Sequence, residues 1–339
     1  RDFQKAVSVA RDLANAQPDN PRALEALGRA QTAAGDPVAA VQTYKRLSTL
    51  SPDSAAVLGL VAGAQISAKD PDAARRTLKD AIALDPKYTP AKIALVELES
   101  AEKNYDEALK LAADLKTSQP DSHYGDLLIG DVLMRQQKFA DAAGAYRTAM
   151  EKSDIATLAI RRFNAERQVG DVDKALKELQ TWVDKNDDRS ARHVLASAYL
   201  SAGRNDAAIR ESEKLLANEA EIPVLLNNLA WLYQQKNDKR ALDCAERAYK
   251  AAPQSAAVID TLGWILVEQK HDAKRGADLL KQAHELAPKQ GDIHYHYAVA
   301  LNESGQSAEA KRALEQLLQS DVKFEARKDA EALLKKIGG

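Results

Sequence analysis

The chain has 339 residues, with 48 Lys and Arg against 50 Asp and Glu, and each half is close to neutral. That balance excludes a broad nucleic-acid or anionic-membrane surface. A hydrophobic fraction of 45% excludes a disordered chain, and the single cysteine, Cys244, excludes an intrachain disulfide or a Cys-based metal cluster. No apolar run approaches the roughly 18 residues of a membrane span. No secretory signal opens the sequence. Alanine is the commonest residue and aromatics are only 5%, a composition of packed helices.

In chain order, Asp2 to Gln17 reads as a lone second helix of a hairpin. Helix-like stretches then recur, as at Val41 to Leu50 and Ala74 to Leu84. Pro18, Pro52, Pro86 and Pro120 are each 34 residues apart, Asp154 continues the series, and Pro253 and Pro288 close two later units. Ala6, Ala40, Ala74, Ala108, Ala142 and Ala241 recur 12 residues ahead of these positions. Two antiparallel helices of about 13 residues with short turns fill such a period. Proline stops the second helix, because it cannot continue the hydrogen-bond ladder. Gly35, Lys69, Lys103, Gln137, Gly170, Gly203 and Gly305 end the first helices, where glycine takes the left-handed turn. The signature is degenerate from Ala156 to Ala220, a stretch that reads as a hinge or, alternatively, as a specialised binding surface. Lys323 to Ile337 reads as a capping helix with a charged face. The expected division is therefore a second helix of an incomplete repeat at 1–20, nine repeats over 21–321 and a cap over 322–339. A chain that opens halfway through a repeat reads as a fragment with more of the protein upstream.

These residues resemble the tetratricopeptide repeat (TPR). Leu24, Leu27, Gly28, Ala40, Tyr44, Leu47 and Pro52 follow its pattern of bulky, Leu-Gly, Ala, aromatic and Pro positions. Leu226, Leu229, Ala230, Tyr233, Ala241, Ala245, Ala248 and Pro253 follow it again, as do Ile259, Leu262, Gly263 and Leu266 ahead of Pro288. The resemblance implies an all-α fold, a right-handed α-α superhelix with a concave face lined by the first helix of each repeat. Its ligands are then proteins or peptides held in that groove.

Candidate contacts are the inward positions of the first helices. Early ones are Arg22, Glu25, Arg29, Gly59, Gly63 and Glu97, a mixed set. Arg161, Asn164 and Arg167 form a stripe at spacings of three, either a binding surface or a solvated, ion-paired face. Asn227, Trp231, Asp260, Trp264, Tyr295 and Asn302 fall on one late groove, with the two Trp at equivalent places in successive repeats. A Trp face stacks on apolar C–H patches while amides and carboxylates take hydroxyls or backbone amides, so this set suits an extended peptide or a sugar. The competing reading has both Trp packed between helices.

Other chemistry is sparse. His294 and His296 point about 200° apart on a helix, and His271 and His284 have no partner at ligand spacing, so no metal or cofactor is expected. No phosphate loop, nucleophile elbow or metalloprotease helix is present, which argues against an enzyme. Cys244 falls among the alanines of a second helix and reads as a buried thiol. Asp260 stands where a carboxylate-clamp TPR domain wants a cation or an amide.

The stretch Leu226-Asn-Asn-Leu-Ala-Trp-Leu-Tyr233, then Val258-Ile-Asp-Thr-Leu-Gly-Trp264 and His294-Tyr-His-Tyr-Ala298, is similar to the C-terminus of the TPR-repeat lipoproteins of bacterial PEP-CTERM/exosortase systems. That resemblance implies a scaffold in exopolysaccharide export or protein sorting. It would lie in the periplasm at the outer membrane, on a lipid anchor outside this chain, with direct polysaccharide binding or a cytoplasmic adaptor as alternatives.

Overall fold

A computed structural model of the chain describes residues 2–217, 221–269 and 272–338. His271 and Ala220 lie outside them. The described residues form twenty helices and no strand, so the fold is all-α as expected. Two compact units divide between Asn186 and Asp187, inside the stretch of degenerate signature. The first unit holds α1 (Phe3–Ala16), α2 (Pro21–Ala33), α3 (Pro37–Leu50), α4 (Ala55–Ser67), α5 (Pro71–Leu84), α6 (Thr89–Ala101), α7 (Tyr105–Ser118), α8 (Tyr124–Arg135), α9 (Phe139–Lys152), α10 (Ala156–Val169) and α11 (Val172–Asn186). The second holds α12 (Arg189–Ser201), α13 (Asn205–Ala217), α14 (Pro223–Gln235), α15 (Arg240–Ala251), α16 (Ala256–Glu268), α17 (Ala273–Leu286), α18 (Gly291–Glu303), α19 (Ser307–Gln319) and α20 (Arg327–Gly338).

Local chemistry sets the helix limits. Asp36 and Asp70 cap α3 and α5, each carboxylate accepting a backbone N–H at 3.0 Å (from Ala39 and Ala73), and each is followed by a proline whose missing N–H is needed by no carbonyl there. Helices α1, α3, α5 and α7 stop two residues short of Pro18, Pro52, Pro86 and Pro120. The first helices α2, α10, α12 and α18 end at glycines with positive φ: Gly35, Gly170, Gly203 and Gly305. Lys69, Lys103, Gln137 and Asn237 take the same turn at φ of 61°, 64°, 60° and 55°. Each such residue costs about 1–2 kcal/mol relative to glycine, so tertiary packing imposes this turn even where the local sequence resists it.

Sequence-adjacent helices pair as hairpins: α2 with α3, α4 with α5, α6 with α7, α8 with α9, and α12 with α13 through α18 with α19. In every second helix but α15, where the buried small residue Ala241 stands at the second place, the fourth place holds a small residue. Ala40, Ala74, Ala108, Ala142, Ala175, Ala208 and Ala310 are all buried there. Gly276 takes this place in α17, where a Cβ would lie 2.8 Å from the carbonyl oxygen of Gly263. Four residues further along, volume is traded across the hairpin. Gly28 faces Tyr44 and Gly130 faces Tyr146, and a Cβ on either glycine would come within 2.5 Å of the tyrosine ring. Ala62 and Leu78 share one buried cluster, and in the next hairpin the sizes reverse, with Val96 and Ala112. Helix α20 packs Leu333, Leu334 and Ile337 around buried Ala330 onto Ala298, Leu301 and Leu314, closing the last hairpin.

Buried charges bridge helices rather than stand alone. Asp126 on α8 is nearly inaccessible and holds Lys116 and Lys152, each at 2.6 Å. Burial alone would raise its pKa, but the two ammonium groups hold it below the usual carboxylate value. Glu99 pairs with Arg75 at 2.5 Å, and Arg192 with Glu211 and Asp187. Cys244 is buried on α15, and burial pushes its thiol pKa up, as expected of an inert side chain.

The volume trade makes a specific prediction. Ala62→Leu puts two leucines at one contact and should cost about 1–3 kcal/mol by overpacking. The double variant Ala62→Leu/Leu78→Ala copies the reversed arrangement of Val96 and Ala112 and should recover most of that loss in a thermal melt. No recovery would show that the two positions do not share a contact.

Candidate functional site

The first helices of adjacent hairpins touch one another directly: α4 with α6 and α6 with α8 in the first unit, α14 with α16 and α16 with α18 in the second. Their free faces therefore form continuous surfaces, one in each unit.

In the first unit that surface is an open cleft of about 640 Å³ crossing α4, α6, α8 and α10. Ile66, Val96, Leu128 and Met134 supply apolar lining. Polar groups stand among them: Glu97, Asp131, Arg135, Arg161 and Asn164. Ser100, also lining the cleft, is buried and its Oγ has no hydrogen-bond partner. Asp131 organises the polar end. Its Oδ1 accepts the Tyr146 hydroxyl at 2.7 Å and pairs with Arg161. Burial raises the Asp131 pKa despite the opposing pull of the Tyr146 hydroxyl and of Arg161 and Arg135. Burial and the neighbouring carboxylate raise the pKa of Tyr146 in turn, which keeps its proton on the phenol as a donor.

The expected stripe on α10 is thus only partly one site. Arg161 and Asn164 line the cleft. Arg167 does not; it is exposed, with its guanidinium 5.8 Å from the Phe163 ring centroid. Of the early set, Glu97 lines the cleft, Arg29 pairs with Glu25 at 2.6 Å along α2, and Gly59 meets the Tyr88 ring. Asp131 and Tyr146 were missed by the sequence reading. A signal for Asp131 exists: ion pairs between units of the repeat recur at separations just under one period, as in Asp131–Arg161, Asp154–Lys185, Asp206–Lys236 and Glu246–Arg275.

In the second unit, Asn227 and Trp231 lie on α14, Asp260 and Trp264 on α16, and Tyr295 and Asn302 on α18. Trp231 is 41% exposed, and the Asn227 Oδ1 beside it is buried without a partner. Trp264 is half-buried and differs from its counterpart. The His296 ring stacks on it at 4.2 Å, held there by two contacts from Nδ1 to the Asp260 carboxylate at 2.9 and 3.0 Å. Tyr295 reaches Trp264 at 6.5 Å between ring centroids. Asn302 is tied to the start of α19, accepting the Ser307 hydroxyl at 3.2 Å. The structure therefore gathers Asp260, Trp264 and Tyr295 around His296, and leaves Trp231 outside that cluster. On the opposite side of α18, His294 meets His284 at 4.4 Å, and Tyr297 stacks on His284 at 5.2 Å. Residue spacing gave no sign of this pair, because the contact crosses the turn between α17 and α18. Among the described residues no three or more His, Cys, Asp or Glu gather as a metal site.

With this geometry in hand, a tetratricopeptide repeat profile matches residues 1–64, 65–128 and 266–337, and a second profile of the same description matches 160–221 and 193–256. The chain belongs to the tetratricopeptide repeat family. It is 25% identical over 199 residues to BBSome complex member BBS4 of Bos taurus, a match covering 58% of this chain and 38% of that protein. The chain thus spans well under two thirds of that relative. Among solved structures it is similar to the C-terminal part of a TPR repeat-containing protein from Cytophaga hutchinsonii, with a TM-score of 0.53, 16% identity, and coverage of 70% of this chain and 98% of that one. That likeness is one of fold.

The histidine pair sets a pH dependence. Burial first, then the charge of His284, lowers the His294 pKa to about 4, and burial lowers that of His284. Glu285 opposes the shift at His284. A histidine with a lowered folded-state pKa contributes fully above its unfolded value of about 6.5, and the contribution is lost as pH falls toward the folded value. Denaturant unfolding should therefore lose stability from pH 6.5 down to about 4. His294→Phe keeps a ring in place and should flatten that decline; an unchanged pH profile would remove the pair from the account.

Proposed function

We propose that this chain is a non-catalytic scaffold that holds an extended segment of a protein partner in the cleft across α4, α6, α8 and α10. The cleft itself carries the reading. It runs over four successive first helices and combines apolar lining with a few fixed polar groups, the arrangement that grips a peptide along its length. Membership of a repeat family whose stacked hairpins serve as extended binding surfaces supports it. The name of the Bos taurus relative, a member of a multi-protein complex, agrees with it. The division into 1–20, nine repeats over 21–321 and a cap over 322–339 belongs to the same reading. The likeness of Leu226 to Trp264 and His294 to Ala298 to PEP-CTERM/exosortase TPR lipoproteins supports a setting in exopolysaccharide export or protein sorting, at the periplasmic side of an outer membrane. The alternative setting is a cytoplasmic adaptor.

A second reading, direct glycan binding, rests on the exposed face of Trp231 and the unpartnered Asn227 Oδ1 next to it. It uses α14 rather than the stacked Trp264.

The two readings separate in a pull-down from bacterial envelope extract, comparing wild type with Ile66→Glu/Met134→Glu in the cleft and Trp231→Ala on α14, each checked for helicity. A protein captured by wild type and Trp231→Ala but lost with the cleft variant is the expected result. Retention of every captured protein by the cleft variant would sink the cleft reading. Polysaccharide enriched by wild type and lost only with Trp231→Ala would put the glycan reading first.

A further inference from the structure

We propose that the first-unit cleft selects an extended peptide carrying an acidic side chain, seated between Arg135, Arg161 and Asn164; this rests on the reading of the cleft as a peptide groove. Arg161 uses one N–H of its guanidinium on Asp131, remains 43% exposed, and so keeps most of its five donors for another acceptor. Arg135, four residues after Asp131 on the same helix, is exposed and forms no ion pair among the described residues. Both guanidinium groups are close enough to act on the Asp131 charge. Two cations therefore surround one carboxylate, leaving an excess positive charge at the α8–α10 side, with the Asn164 amide beside it as a further donor. Glu97 is the exposed carboxylate of the cleft, and it stands on α6, across from α10.

The contrary choice, a basic peptide, fits less well. Asp131 is already satisfied by the Tyr146 hydroxyl and by Arg161, so a ligand cation would have to displace the latter. An incoming carboxylate only has to join it. The Asp131–Arg161 pair shows that a carboxylate can sit on this arginine within the cleft. Ile66 and Met134 nearby offer apolar contacts for the residues flanking the acidic one.

The test uses the full chain and three fluorescein-labelled peptides of sequence Ala-Leu-Ala-X-Ala-Leu-Ala, with X as Glu, Gln or Lys, followed by fluorescence anisotropy at low and high salt. The Glu peptide should bind about five-fold or more tighter than the Gln peptide, the difference between a charge-assisted and a neutral hydrogen bond. The difference should shrink at high salt. Arg135→Gln breaks no ion pair, so it folds as the parent does, and it should remove most of the difference; Arg161→Gln should do the same. Asp131→Asn, which still accepts the Tyr146 hydroxyl but takes one negative charge from the cleft, should tighten the Glu peptide about three-fold or more. Equal binding of Glu and Gln peptides, preference for the Lys peptide, or an unchanged Glu preference in Arg135→Gln would overturn the acidic selectivity and leave the peptide groove standing. Failure of all three peptides to bind, together with a pull-down unaffected by Ile66→Glu/Met134→Glu, would overturn the groove and the selectivity together.

Discussion

The close approach of the two helices in each hairpin is the constraint on which the rest depends. A hairpin of about 30 residues cannot bury its own apolar face, so each one must present a surface that the next can cover. The surface is made flat enough by alanine or glycine near the start of the second helix, at the fourth place from Ala40 through Gly276 to Ala310 and at the second, Ala241, in α15. Space is then filled by trading volume at the eighth: tyrosine against glycine, leucine against alanine, alanine against valine. Interior packing density leaves no room for both partners to be large, nor for both to be small without a void. This is why the individual residues of the repeat vary while its geometry does not. It is also why Lys69, Lys103, Gln137 and Asn237 accept an unfavourable left-handed turn where glycine is absent.

Once the hairpins stack, the groove follows without further design. First helices of neighbouring hairpins touch, and the side chains that do not take part in hairpin packing line up across them. What differs between the two units is how those side chains are spent. On α16 and α18 they are used on one another: Asp260 holds His296, and His296 covers a face of Trp264. Among the residues of α8 and α10 that line the cleft, the ion pair is that of Asp131 with Arg161, and Arg135 and Asn164 stand beside it, with Glu97 on α6. A surface whose polar groups are mutually satisfied resists a ligand, because every new contact must first break an old one.

The hairpins were legible in the sequence because their signals are local. A proline two residues past a helix end and a glycine in a left-handed turn each act within a few residues, and repetition multiplies them. The inward positions on the first helices were legible for the same reason, since a helical stripe needs only its own residues. Long-range pairings were not. Nothing in the spacing of α10 separates Arg161, which reaches Asp131 on α8, from Arg167, which lies on Phe163 of its own helix. Trp231 and Trp264 occupy equivalent places, and only the presence of His296 one hairpin later gives them different environments. His284 and His294 meet because one ends a hairpin and the other begins the next, a relation that ligand-spacing rules for a single helix do not contain.

The polar chemistry of the cleft is attached to the repeat signature itself. Tyr146 is a signature residue: its ring fills the space left by Gly130 in the hairpin of α8 and α9. The same side chain gives its hydroxyl to Asp131, and Asp131 in turn fixes Arg161. A position chosen for volume thus also sets the charge geometry of the groove. The other Gly–Tyr hairpin shows what the signature does without that acid: the Tyr44 ring packs on Gly28 in the same way, with Thr32, whose hydroxyl donates to the Gly28 carbonyl at 2.9 Å, near by. Glycine and tyrosine at these two places are therefore enough for packing, and the aspartate one residue after Gly130 is what joins this structural pair to the polar groups of the cleft. Variation along a repeat array can then change what a groove recognises by altering single residues on the first helices, while the alanines and traded volumes that hold the hairpins together stay as they are.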